Sequence, residues 1–203
     1  MSTSFYTINL RRTLDPKDSA YMGEKALNSL LSDFSCPPNQ EVEQFLKHSA
    51  IEFTKKSQSV TYLVFNRVSY SDLLVGYFTL TIKPLSVRAS AISKTMGRKL
   101  ARVSVLNPVT NTYTASAYLV AQLGKNFALP KEERIGGAAL LDLAGQRIAK
   151  TQYDIGGVVE FLECEDTPFL LDFYARNGFK AFDRRTAASE DDEEELVQLL
   201  RFI

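Results

Sequence analysis

The segment Glu133-Arg134-Ile135-Gly136-Gly137-Ala138 has the makings of an anion site. It follows a strand-like run, Tyr113 to Leu123, with its apolar weight towards the C-terminal end, and it leads directly into a helical pattern. The first turn of a helix leaves backbone N–H groups without partners, and the helix dipole makes that end positive. Small residues there let phosphate oxygens approach closely, and Arg134, with Lys131 and Lys125, supplies opposite charge. The same Gly-Gly pair serves equally for close packing of helix on sheet, so the residues alone leave both readings open.

Other reactive side chains are few. Cys36 and Cys164 lie far apart with no C-x-x-C spacing, so neither a zinc site nor a disulfide framework is expected, and no metal. A thiol between Glu163 and Glu165 holds its proton and is a poor nucleophile, which argues against a covalent acyl-enzyme. His48 is the only histidine and sits off the apolar stripe of its helix, so no Ser-His-Asp arrangement can be assembled.

The elements that must position the Gly-Gly junction read as follows. A helix starts at Asn39 after Pro37-Pro38, with Val42, Phe45, Leu46, Ser49, Ala50 and Phe53 on its inward face. Strands at 60–65 and 73–82 form an antiparallel pair, joined by a turn-like segment containing Asn66 and Ser69 to Asp72. Pro84 closes the second strand, and 86–102 reads as a basic, weakly amphipathic surface helix within an insertion at about 84–112. A helix over 134–150 carries the stripe Leu140, Leu143, Ala144 and Ile148 and stops at Gly156-Gly157. A strand over 158–163 precedes Thr167-Pro168, an N-cap followed by proline at the first helical position, and Gly178 ends that helix. Short strands at 179–182 and 196–203 flank the acidic run. The order predicts an α/β (α+β) chain, a single domain over 1–203, with a right-handed β-α-β crossover at 113–163 and helices on both faces of a central sheet.

With 203 residues, 45% of them hydrophobic, the chain can bury one sizeable core. No apolar stretch is long enough to span a bilayer and the N-terminus lacks the pattern of a secretory signal, so a cytoplasmic protein without a membrane partner is expected. Formal net charge is zero, but Arg88, Lys94, Arg98, Lys99 and Arg102 cluster, against an acidic run from Glu190 to Glu195. The basic segment would suit phosphates, although the chain lacks the overall positive excess of a dedicated nucleic-acid binder. The acidic run reads as a solvated hairpin loop.

Three sets of residues resemble the GNAT superfamily of N-acetyltransferases. Glu133, Gly136 and Ala138 stand at the first, fourth and sixth positions of a Q/R-x-x-G-x-G/A junction, from which Glu133 departs. Phe173-Tyr174-Ala-Arg-Asn-Gly178-Phe179 looks like the family's F-Y-x-x-x-G-F segment. Phe34-Ser-Cys36, Asn39, Phe45-Leu46, Thr61-Tyr62 and Val75-Gly-Tyr-Phe78 resemble the subgroup of toxins that acetylate the amino group of aminoacyl-tRNA. Together the matches span roughly residues 30–82 and 113–182.

The resemblance implies a mixed, mostly antiparallel twisted sheet of about six to seven strands, and acetyl-CoA as cosubstrate. It implies that Gln122, Leu123, Gly124, Lys125 and Asn126 at the strand end, with Arg134, Ile135, Gly136, Gly137 and Ala138, bind the pantetheine arm and pyrophosphate. Tyr174 becomes the acid that protonates the departing thiolate, where a packed core aromatic would otherwise be expected. A primary amine would attack the thioester directly. Glu163, with Glu165, is then the nearest carboxylate to take its proton, or else an acidic flank for the helix after Thr167. A tRNA or protein partner is compatible with the resemblance, as a monomer or homodimer. A GNAT-type module that binds acyl-CoA or a protein without efficient transfer is the alternative, because Glu133 places a carboxylate near an anionic ligand.

Overall fold

The computed structural model describes residues 5–68, 71–188 and 193–203. Strand β1 (Phe5–Asn9) leads through α1 (Leu10–Leu14) and α2 (Glu24–Ser32) to α3 (Gln40–Gln44), a π-helical turn (Phe45–Ser49) and α4 (Ala50–Lys55). Then come β2 (Val60–Val68), β3 (Ser71–Arg88), α5 (Lys94–Leu100), β4 (Leu106–Asn107) and β5 (Thr112–Lys125). The chain continues with α6 (Gly137–Ile155), β6 (Val159–Glu165), α7 (Pro168–Arg176), β7 (Lys180–Ala188) and β8 (Glu193–Phe202). The strands hydrogen-bond in the order β1-β2-β3-β5-β6-β8-β7, with β4 paired to β5, giving an eight-stranded sheet flanked by helices. The pairings β1–β2, β2–β3, β6–β8 and β7–β8 are antiparallel, and β5–β6 is parallel through Tyr118↔Glu160 and Leu119↔Phe161.

Two compact units divide the chain, Met1–Thr81 with Val120–Arg147, and Ile82–Leu119 with Ile148–Ile203. The first has two apolar clusters. One gathers Leu27, Leu31, Phe34, Leu46, Leu63 and Tyr77; the other gathers Val64, Val75, Phe78, Ile135, Leu140 and Ala144. In the second unit Leu85, Val87, Met96, Leu100, Val159, Phe161 and Leu200 pack together.

Local signals hold where a few residues set the backbone. The Asn39 side chain accepts from the Val42 N–H and caps α3, and the Thr167 side chain caps α7 with Pro168 in its first turn. At the end of α6, Gly156 and Gly157 take φ of +76° and +103°. A side chain on Gly157 would lie 2.8 Å from the Tyr118 ring, whose hydroxyl donates to the Gly156 carbonyl.

Several boundaries are corrected. Strand β3 runs through Pro84 to Arg88, because β2 pairs only as far as Val60↔Leu80 and offers no acceptor that the missing proline N–H would leave unpaired. The helix expected over 86–102 shrinks to α5, and it is not a weakly amphipathic surface segment: Met96 and Leu100 are buried in the second unit's core. Phe53 is 40% exposed, edge-on to Phe45, since the π turn shifts the helical phase and turns Ile51 and Thr54 inward instead. The helix expected from 134 starts at Gly137, and the last two strands are longer than expected, with Glu193 to Glu195 inside β8 rather than in a loop. Of the turn expected over Asn66 and Ser69 to Asp72, Asn66 belongs to β2 and Ser71 and Asp72 to β3, paired as Asn66↔Leu73, Arg67↔Asp72 and Val68↔Ser71, while 69–70 and the acidic residues 190–192 lie outside the described residues. Strand β1 has no counterpart in the sequence reading; its Phe-Tyr-Thr-Ile run pairs with β2 from Phe5↔Asn66 to Asn9↔Tyr62. Among the described residues no helix is long and apolar enough to cross a membrane.

Gly124, near the end of β5, is required by packing. A Cβ there would lie 2.6 Å from Val42 and 2.7 Å from the Tyr77 ring, and Tyr77 is fully buried. Gly124→Ala is expected to cost about 2 kcal/mol and to lower the melting temperature by roughly 5 °C, read by thermal denaturation.

Candidate functional site

In the first unit, β5 ends at Lys125 and α6 begins at Gly137, with a short 3₁₀ turn (Lys131–Glu133) between them. The first helical hydrogen bond runs from the Leu140 N–H to the Gly136 carbonyl at 3.0 Å, which makes Gly136 the N-cap. The amides of Gly137, Ala138 and Ala139 have no acceptor among the described residues. Gly136 is exposed, and a Cβ built on it would meet nothing within 4 Å. Its backbone does not adopt positive φ, so the fold itself does not demand glycine there. What Gly136 gives is open space beside a helix start lined with amides.

The charged residues around this junction divide by role. The Lys125 ammonium and the Arg134 guanidinium lie 5.1 Å and 5.0 Å from the centre of the Phe127 ring, and neither has a carboxylate partner among the described residues. Arg134 also donates to the carbonyls of Leu129 at 2.7 Å and Phe127 at 2.9 Å, so it braces the loop as well as charging it. Gln122 donates to Glu41 at 3.2 Å, and Leu123 packs in the cluster of Phe78 and Leu140. Ile135 is buried in that same cluster, so it contributes only backbone to any ligand.

Asn126 is 4% exposed and both polar atoms of its side chain are bonded within the fold. Its oxygen accepts from the Ser35 and Ala128 N–H groups, each at 3.1 Å, and its nitrogen donates to the Leu74 carbonyl at 2.9 Å. It shapes the junction from behind.

In the second unit Tyr174 lies on α7, 9% exposed, edge-on to Phe173 and Phe179. Burial pushes the phenol's pKa well up, and the neighbouring Cys164 adds to this, so the group keeps its proton throughout the working pH range. Its hydroxyl has no hydrogen bond to a described residue and is not sealed from solvent. Glu163, on β6, accepts from Arg185 at 2.8 Å and from Gln198 at 2.7 Å, one donor for each oxygen. His48 is exposed, and among the described residues no group of three or more His, Cys, Asp or Glu could hold a metal. Of the basic segment, Arg88 pairs with Asp183 and Lys99 lies over Phe202. Lys94, Arg98 and Arg102 have no ion pair among the described residues; the first two line a groove of about 350 Å³ with Ile92, Gly97 and Tyr113.

No family model matches the sequence, and no curated protein matches it. Solved structures do match in fold. The toxin AtaT complexed with acetyl-methionyl-tRNAfMet superposes with a TM-score of 0.61 at 15% identity, over 96% of this chain and 94% of that one. A tyrosine-to-phenylalanine mutant of AtaT, bound to the C-terminus of the antitoxin AtaR and acetyl-CoA, gives 0.58 at 15% identity, over 98% and 92%. Arabidopsis thaliana NAA60 in complex with a bisubstrate analogue gives 0.52 at 13% identity, over 100% and 99%. The chain has the GNAT fold.

Two features of this GNAT-fold chain escaped the sequence reading. Ala139 adds a third free amide to the helix start, which only the true start of α6 reveals. Glu160 and Arg201 form a buried ion pair; the signal available was a carboxylate in the middle of the apolar run Val158-Val-Glu-Phe-Leu162. Cys164 follows expectation, its pKa raised to about 11 by burial first and by Glu165 and Asp166 second. At pH 8 about one in a thousand such thiols is ionised. Iodoacetamide should therefore leave Cys164 of the native protein unmodified at pH 8 and label it after denaturation, as peptide mass analysis would show.

Proposed function

We propose that this chain is a cytoplasmic acetyl-CoA-dependent N-acetyltransferase that passes an acetyl group to a primary amine by direct attack. The observation that carries the proposal is the start of α6, with open space over Gly136 and, among the described residues, three amides without acceptors and two cations without carboxylate partners. Acetyl-CoA brings the activated acetyl thioester and the pyrophosphate. The amides of Gly137, Ala138 and Ala139 bind the phosphates, with Lys125 and Arg134 adding charge. Backbone groups of Gln122, Leu123 and Gly124 align the pantetheine arm. Because these contacts are made by backbone, the carboxylate of Glu133 in place of glutamine or arginine leaves them intact.

Tyr174 is the proposed acid. A phenol raised by burial remains protonated at every pH at which the departing thiolate needs a proton. For the acceptor, the α-amino group of an aminoacyl-tRNA is the class favoured by the fold shared with AtaT in complex with acetyl-methionyl-tRNAfMet, and by Lys94, Arg98 and Arg102, which have no ion pair among the described residues. An α-amino group, with an ordinary pKa near 8, is neutral in about one molecule in ten at pH 7, against fewer than one in a thousand for a lysine side chain. Its attack needs no strong base, so Glu163, with both oxygens engaged, need not take the proton.

Acetyl-CoA at a hundredfold excess over its dissociation constant should stabilise the protein by about 2.7 kcal/mol. Gly136→Asp separates binding from folding, because an aspartate at the N-cap satisfies the same amides. That variant should melt no lower than the parent yet lose the acetyl-CoA shift; a retained shift would remove the α6 start as the binding site. Tyr174→Phe should lower thiol release with an amine panel at least tenfold while leaving acetyl-CoA affinity unchanged. Unchanged turnover would dismiss the tyrosine as the acid.

A further inference from the structure

Glu160 and Arg201 face each other across the antiparallel β6–β8 pair, and Glu160 is 1% exposed. One carboxylate oxygen accepts from the Arg201 Nε at 2.8 Å, and the other has no partner among the described residues. A buried ion pair is often no more stabilising than apolar residues of the same volume, so stability alone does not account for it.

The guanidinium also reaches the end of α7. It donates to the Asn177 carbonyl at 3.1 Å and lies 4.5 Å from the centre of the Phe179 ring. Asn177 and Phe179 are the two residues whose N–H groups donate to the Tyr174 carbonyl, at 3.1 and 3.0 Å. The Asn177 side chain also donates to the Phe173 carbonyl at 2.8 Å, and the Phe179 ring meets Tyr174 edge-on at 5.9 Å. One side chain therefore grips both the backbone and the ring that locate Tyr174. We infer that Arg201, held by Glu160, is a positioning residue for Tyr174, fixing the last turn of α7 so that the phenol keeps one orientation. This inference rests on the proposed role of Tyr174 as acid. Burial raises the Glu160 carboxyl and Arg201 opposes that rise, as expected of a charge that depends on one partner.

The test uses the full chain with Glu160→Leu and Arg201→Met together, which removes both charges at once, and Arg201→Lys, which keeps a cation for Glu160 but lacks the guanidinium fork. Two readouts are independent of each other. Amide hydrogen exchange at Asn177 and Phe179 should speed up at least tenfold in either variant, with the β6 and β8 amides unchanged; unaltered exchange at both positions overturns the inference without touching the acid reading. In thiol-release assays kcat should fall about tenfold with KM for acetyl-CoA within twofold, and adding Tyr174→Phe should lower it no further. Effects that multiply with Tyr174→Phe, or a full rate in a variant when Tyr174→Phe is slow, also overturn it. A full rate in Tyr174→Phe itself removes the acid reading, and the positioning role falls with it.

Discussion

The side-chain amide of Asn126 holds together the part of the molecule that carries the proposed ligand site. Buried behind the end of β5, it joins the loop after α2 through Ser35, strand β3 through Leu74, and the following loop through Ala128. The backbone completes the lock: the Asn126 N–H donates to Val75 and the Phe127 N–H donates to Ser35. Breaking any of these bonds would strand a polar group away from water, which favours the bonded arrangement. Phe127 therefore sits still, and with it the two cations that lie against its ring. Arg134 in turn ties the loop carbonyls just before α6. The open helix start is the free end of that braced assembly.

The two units differ in what they offer. In the first, the proposed acetyl-CoA site consists mostly of main-chain amides, and side chains set their position. As proposed, that site depends on the absence of a Cβ at Gly136 and on where the helix begins, and not on the side chain of Glu133. In the second, the important group is a side chain in an apolar surrounding. Tyr174 is flanked by Phe173 and Phe179 and carries a raised pKa, which keeps it a donor. Glu163, on the neighbouring strand, is instead fixed as an ion-pair and hydrogen-bond acceptor by Arg185 and Gln198.

Much of the fold was legible from the chain because its signals are local. Asn39, Thr167-Pro168 and Gly156-Gly157 each set backbone torsions or cap hydrogen bonds within a few residues, and each helix or turn stands where those residues placed it. Strand β5, helix α6 and strand β6 followed from period and composition, and so did the glycine at the start of α6. The misjudged elements are those whose fate depends on neighbours. Pro84 is harmless in β3 only because β2 stops short of it, and α5 counts as core only because Leu85 and Val87 receive Met96 and Leu100.

The sequence by itself determined the order of elements, the glycine-bearing helix start and the tyrosine on α7, because each is written in residues adjacent along the chain. Tertiary structure alone decided which polar side chains remain available. Asn126 is engaged by Ser35, 91 residues away; Glu163 by Gln198, 35 away; and Arg201 by Glu160, 41 away. Hydrogen bonds between such distant residues are fixed by strand register and burial, and no spacing within the chain announces them.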